Sequence, residues 1–161
     1  MHEFMAWLEA STLGHAMRES GVWTYGIVNL FHILGVSSLF GAVLVLDLRL
    51  LGVRRNIALP SVTQTTVPVA TTGFIIAAAS GICLLATKAT EYVGNPFLYI
   101  KFPAILLGIL NVGILNQLSG WKMRKTRELS SREQRQLAIA GGVSLVSWLT
   151  AITAGRMIGY W

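Results

Sequence analysis

Of the 161 residues, 53% are hydrophobic and only 12% charged, about half the charged share of an ordinary soluble domain. The net charge of +6 would suit nucleic acid, but the basic residues gather at the ends of apolar stretches and form no groove, which excludes that partner. A single cysteine, Cys83, excludes an intrachain disulfide and any multi-cysteine metal site. No activated nucleophile, carboxylate pair or phosphate-cradling loop supports a soluble-type enzyme activity.

Residues 1–20 mix Phe4, Met5, Trp7 and Leu8 with Glu3, Glu9, Arg18 and Glu19, a composition suited to an amphipathic helix lying in the membrane interface as a lid. Ser20 and Gly21 break the chain there. Four uncharged stretches follow, at 20–46, 56–87, 102–121 and 136–155. Each is long enough to cross a hydrocarbon core of about 30 Å, which takes roughly 20 helical residues. The remainder, 21–161, is therefore expected to be an all-α, antiparallel four-helix transmembrane domain. Its helices should run at about 22–48, 62–87, 96–118 and 131–160.

Ser61 and Gln64 have capping-box spacing at the start of the second helix, and Pro68 should kink its first turns. Asn95 and Pro96 read as the N-cap and first residue of the third helix. Ser130 with Glu133 is a second capping box, opening the fourth. Short connections favour antiparallel neighbours in sequence order. There is no internal repeat, and without an inverted repeat or acidic relay four helices offer little machinery for alternating access.

Nine of the thirteen basic residues lie after the first helix (Arg49, Arg54, Arg55) or between the third and fourth (Lys122, Arg124, Lys125, Arg127, Arg132, Arg135). Four crossings put both connections on one face, and the positive-inside rule makes it the cytoplasm. Both termini are then periplasmic. Trp23, Tyr25, Tyr92, Phe97, Tyr99, Tyr160 and Trp161 fall at the outer boundary, where amphipathic rings settle. Lipid gives helices little reason to associate, so close backbone approach must hold the bundle. Gly73, Ala77 and Gly81 on the second helix, and Ser147, Ala151, Gly155 and Gly159 on the fourth, offer ridges for a neighbouring helix, a second copy or a partner subunit.

His32, near mid-membrane, shares one helix face with Tyr25, Asn29 and Gly35. An imidazole there can ligate metal or haem iron, move a proton, or simply be satisfied by Asn29 or a neighbouring helix. Lys101 and Arg156 sit at similar depth toward the outer face. They can clamp the carboxylates or propionates of a cofactor, or snorkel to the interface and pair with Glu91 and lipid phosphate. Asn111 lies on the Lys101 side of the third helix, and Pro103 between them leaves the Tyr99 carbonyl without its helical partner. Asp47 is expected to pair with one of the nearby arginines. The three histidines, His2, His15 and His32, are one short of the four that two bis-histidine haems require. A single haem b remains open, with His32 and either His15, His2, Met17 or Met157 as ligands.

The chain resembles an uncharacterised family of small bacterial four-helix membrane proteins almost end to end. The matching elements are His32 with Gly35, the run LDLRLLG at 46–52, Asn95 and Pro96 before Lys101, Asn111, and the closing AGRMIGY at 154–160. The resemblance implies a multi-pass protein of the bacterial inner membrane. The first helix is also loosely similar to the corresponding helix of copper-resistance membrane proteins and of small membrane cytochromes, a likeness of fold only. Together these readings lead to an outer-half polar pocket lined by Tyr25, Asn29, His32, Lys101 and Arg156. The function expected is a membrane-embedded redox or cofactor-binding subunit holding one haem b or a quinone. The alternative is a non-catalytic anchor or assembly subunit that docks another membrane protein.

Overall fold

The computed structural model describes residues 2–161, so Met1 alone of the expected interfacial segment lies outside the described residues. Helices α3 (Gly21–Leu50), α4 (Leu59–Thr87), α5 (Pro96–Gln117) and α7 (Ser131–Met157, continued by a 3-10 turn at Ile158–Tyr160) carry the apolar runs. All four are long and apolar enough to cross a membrane, which makes this a multi-pass membrane protein. Ahead of them stand α1 (His2–Glu9) and α2 (Thr12–Glu19). A 3-10 turn at Ala89–Tyr92 links α4 to α5, and the short α6 (Ser119–Met123) leads toward α7.

Two of the expected caps form as spaced. Asn95 Oδ1 accepts the Phe97 amide at 3.0 Å. Ser130 and Glu133 exchange a reciprocal pair, with the Glu133 carboxylate accepting the Ser130 amide at 2.9 Å. The Ser61 cap does not form: α4 starts three residues earlier, at Leu59, with Ala58 before it and Pro60 in its first turn. Proline is well suited to that turn, since its missing N–H would have no helical partner there.

The tightest joint is the crossing of α3 and α4, built on glycine. A Cβ at Gly35 would stand 2.7 Å from the Ala77 amide nitrogen and 3.0 Å from the Gly73 carbonyl oxygen. One at Gly73 would stand 2.5 Å from the Leu39 nitrogen and 2.8 Å from the Gly35 oxygen. Backbone therefore meets backbone, the close approach that membrane helices use in place of a hydrophobic driving force.

Helix α7 packs against both α3 and α5. Its Trp148 is buried among Leu39 and Val43 of α3, with Phe74 of α4 edge-on at 6.1 Å between ring centroids. Gly108 of α5 accommodates the other side of the indole, where a Cβ would come within 3.0 Å of the ring. Sequence order thus predicts the α3–α4 and α5–α7 neighbours, but α7 returns to α3 while α4 and α5 pack little against each other.

The gap at that end is covered by α1 and α2. Met5 and Leu8 are buried against Ala86, Ala89 and Leu98, with Ile158 beside them. Both termini therefore share an end with the α4–α5 turn. Rather than one lid helix, Ser11 breaks the segment in two and caps α2 by accepting the Gly14 amide at 3.2 Å. Gly14 is required there, since a Cβ would sit 2.9 Å from the Ala86 carbonyl oxygen and press on that of Glu9.

Glu9 fixes this cap to the turn: the Thr90 amide and hydroxyl each donate to its Oε2 at 2.7 Å. Those bonds, the amide foremost, hold its carboxyl below the ordinary 4.5. A depressed folded value means the attachment contributes fully above the unfolded pKa and fades as pH falls through the folded one. The protection of the Thr90 amide, the intrinsic exchange rate divided by the observed rate at the same pH, should therefore fall in acid, below the ordinary carboxylate range. With Glu9→Gln the amide should exchange faster at neutral pH and show no acid step.

Candidate functional site

His32 projects from α3 onto α4. Its Nδ1 lies 2.9 Å from the Ala77 carbonyl oxygen and 3.2 Å from Ser80 Oγ. A carbonyl only accepts, so Nδ1 carries the proton; the Ser80 hydroxyl hydrogen is directed to the Ile76 carbonyl at 2.5 Å. That fixes one tautomer and leaves the Nε2 lone pair without a partner among the described residues. An Nδ1–H bound to a backbone carbonyl is the arrangement that orients an imidazole for a second partner at Nε2. Gly81 lies under the ring, its Cβ position 3.0 Å from Cε1. The third member of the α4 ridge is thus small to admit the imidazole.

Lys101 lies on α5, in the half of the bundle nearer the termini. Its ammonium lies where a Cβ on Gly155 of α7 would come within 3.3 Å. No acceptor bonds its Nζ among the described residues, and its one-turn neighbours on α5 are apolar. A half-buried ammonium on α5 and a free imidazole lone pair on α3 are thus two polar groups without a hydrogen-bond partner among the described residues.

The other expected members lie elsewhere. Arg156 turns outward and donates to the Tyr160 hydroxyl, its guanidinium 4.8 Å from that ring, so it does not join Lys101 in a clamp. Tyr25 and Asn29 are exposed on α3. They share the sequence stripe of His32, yet α4 covers only the part of it that begins at His32 and continues to Gly35. His15 is exposed on α2. Gly35 belongs to the α3–α4 crossing. Of the five residues expected to line one pocket, His32 lies on Ala77, Ser80 and Gly81 of α4 and Lys101 lies on Gly155 of α7, while Tyr25, Asn29 and Arg156 are exposed. Ser80 could have been read from its three-residue spacing with Ala77; which helix it would face could not.

Asn111 has a structural post instead. Buried between α5 and α7, its Nδ2 donates to the Ala140 carbonyl at 2.9 Å. Asn111→Leu should destabilise the protein by about 0.6–2 kcal/mol, the usual range for an interhelical bond in a membrane. Thermal unfolding in detergent reads the change.

Asp47 does not pair with an arginine. It is 3% exposed, packed against Gly141 and Ser144 of α7, and its Oδ2 has no partner among the described residues. Arg49 is two positions away and so points to the other side of the helix. There its Nε donates to the Ile57 carbonyl at 2.7 Å and its Nη2 to that of Arg55 at 3.3 Å, tying down the α3–α4 connection.

No curated protein and no solved structure matches the chain, so the looser likeness of α3 to copper-resistance proteins and small cytochromes has no counterpart there. A family of unknown function, DUF6644, matches residues 4–161, which takes in every element from α1 to the closing turn. By that match over nearly its whole length, this four-helix membrane protein belongs to the DUF6644 family.

Proposed function

We propose that the protein is a membrane-embedded cofactor-binding subunit, and that His32 and Lys101 hold the head group of a quinone. The observation that carries this reading is the fixed tautomer of His32. With Nδ1–H bound to Ala77, Nε2 can accept the O–H of a quinol. The Lys101 ammonium can donate to a quinone carbonyl. One acceptor and one donor on two different helices suit the two oxygens of a quinone ring, and the surrounding apolar helices suit its tail.

Haem is supported less. The site supplies one imidazole, and the other two histidines are exposed on α1 and α2. The propionate clamp also lacks Arg156, which is engaged with Tyr160.

The test is titration of the detergent-solubilised protein with a short-chain quinone and its quinol. Saturable binding is expected at roughly micromolar concentration, weakened tenfold or more by His32→Ala and by Lys101→Met. Asn29→Ala should leave it unchanged. Absent saturation, or equal binding by all variants, removes the reading. A Soret band that appears on haem loading and vanishes with His32→Ala moves the site to haem.

The anchor reading draws on one observation of its own. Ser37, Ser38 and Gly41 are exposed on the lipid side of α3, and Gly41 has open space beside it. Small and hydroxyl residues on such a face suit a docked helix. A stoichiometric protein partner retained in gentle detergent, and lost with Gly41→Leu, supports it.

A further inference from the structure

At the end of the bundle opposite the termini, the two arginine-rich connections enclose a cleft of about 480 Å³. Its rim carries Arg49, Arg55, Arg124 and Arg127, and its floor includes Leu50 and Leu59. The only carboxylate lining it is that of Glu128.

The four guanidiniums are not equally committed. Arg127 is paired with Glu133 at 2.7 Å, and Arg49 ties two carbonyls of its own loop while keeping its charge. Arg55 donates no hydrogen bond among the described residues. Arg124 stacks 4.0 Å above Trp121 and donates to that residue's carbonyl, but its Nε is buried with no acceptor. Its Nη2 makes no hydrogen bond among the described residues, and a partly buried guanidinium with donors left over favours an anion beside it.

We propose that this cleft binds a phosphate group carried on an amphiphile, the head group of an anionic phospholipid. Arg55 and Arg124 supply free donors to the phosphate oxygens, a pairing the guanidinium fork fits. The cleft lies where α3 ends at Leu50 and α4 begins at Leu59, the level at which the head groups of a bilayer meet the spanning helices. A basic pocket between membrane helices with an apolar base is the setting in which such head groups bind. Free phosphate could reach the same arginines, but the position of the cleft at the ends of the spanning helices favours a phosphate held in the bilayer. The site is independent of the His32 and Lys101 pair at the other end.

The experiment equilibrates delipidated protein with mixed micelles of phosphatidylglycerol and phosphatidylcholine and counts bound lipid by native mass spectrometry. The wild type should retain phosphatidylglycerol preferentially. Arg55→Gln combined with Arg124→Gln should weaken that preference by about tenfold or more. Lys125→Gln with Arg135→Gln removes two exposed cations that do not line the cleft and should change it less than about threefold. Arg55→Gln alone breaks no internal bond and keeps the test valid if the double variant unfolds; it should still lower retention. Equal loss in the control pair assigns the effect to general charge and overturns the proposal, as does a wild type with no preference. Displacement of the lipid by millimolar inorganic phosphate, with phosphate then bound in its place, also overturns it in favour of a soluble anion.

Discussion

Gly73→Val should abolish the native bundle, and Gly35→Val should do the same. At either position even the first added carbon meets backbone: the Leu39 nitrogen at 2.5 Å and Gly35 oxygen at 2.8 Å in one case, the Ala77 nitrogen at 2.7 Å in the other. Backbone inside a helix cannot swing aside as a side chain can, so α3 and α4 must separate along their length. Overpacking that displaces side chains costs about 1–3 kcal/mol, and separation of two helices should exceed the upper figure. The imidazole site opens with it, because Ala77 contributes both to the crossing and to the His32 bond. Gly41→Ala is the control, since nothing lies within 4 Å of its Cβ position. Size-exclusion profiles and thermal unfolding in detergent separate the cases. A Gly73→Val protein that elutes and melts like the wild type would show that the glycine crossing is not the principal joint.

The four long apolar helices, the helical segment ahead of them and two of the three caps were legible because each depends on residues close in sequence. A 20-residue uncharged run, or a serine three positions before a glutamate, carries its own physical consequence. The glycine ridge of α4 was legible as a ridge, but its partner was not. Gly35 looked like one member of the His32 stripe, and only the crossing angle decides that α4 covers it from His32 inward and leaves Asn29 and Tyr25 bare.

Charges near helix ends misled for a related reason. Asp47 lies among arginines in sequence, yet two positions along a helix is more than half a turn, so it faces α7 while Arg49 faces the connection. Arg156 and Lys101 were matched by depth, a one-dimensional measure. Rotation about α7 sends Arg156 to Tyr160 and leaves Gly155 facing Lys101. The arginine cleft was visible only as two basic segments on one side of a membrane. That they meet around a leucine floor required knowing that α7 packs on α3.

Glu133→Ala should release the connection that walls this cleft. Its carboxylate, 9% exposed, accepts from both Arg127 nitrogens at 2.7 and 3.0 Å, from the Ser130 amide and hydroxyl at 2.9 Å each, and from Ser119 at 3.0 Å. The capping box alone was readable from spacing; Arg127 and Ser119 arrive from the connection and from α6. Without the acceptor, the first turn of α7 loses half of its capping box, and residues 124–130 lose their attachment to it. Trypsin cleavage after Arg127 should accelerate by roughly tenfold or more, with Glu133→Gln intermediate because it keeps one acceptor oxygen and loses the charge. The same substitution separates a built lipid site from diffuse attraction. Removing a carboxylate raises the net positive charge of this face, so attraction by charge alone would strengthen phosphatidylglycerol retention. A site whose arginines are held in place by Glu133 should instead lose retention, because Arg124 and Arg127 no longer have a fixed position relative to Arg55. Unchanged proteolysis would dissolve the network argument, and increased lipid retention would dissolve the cleft as a shaped site.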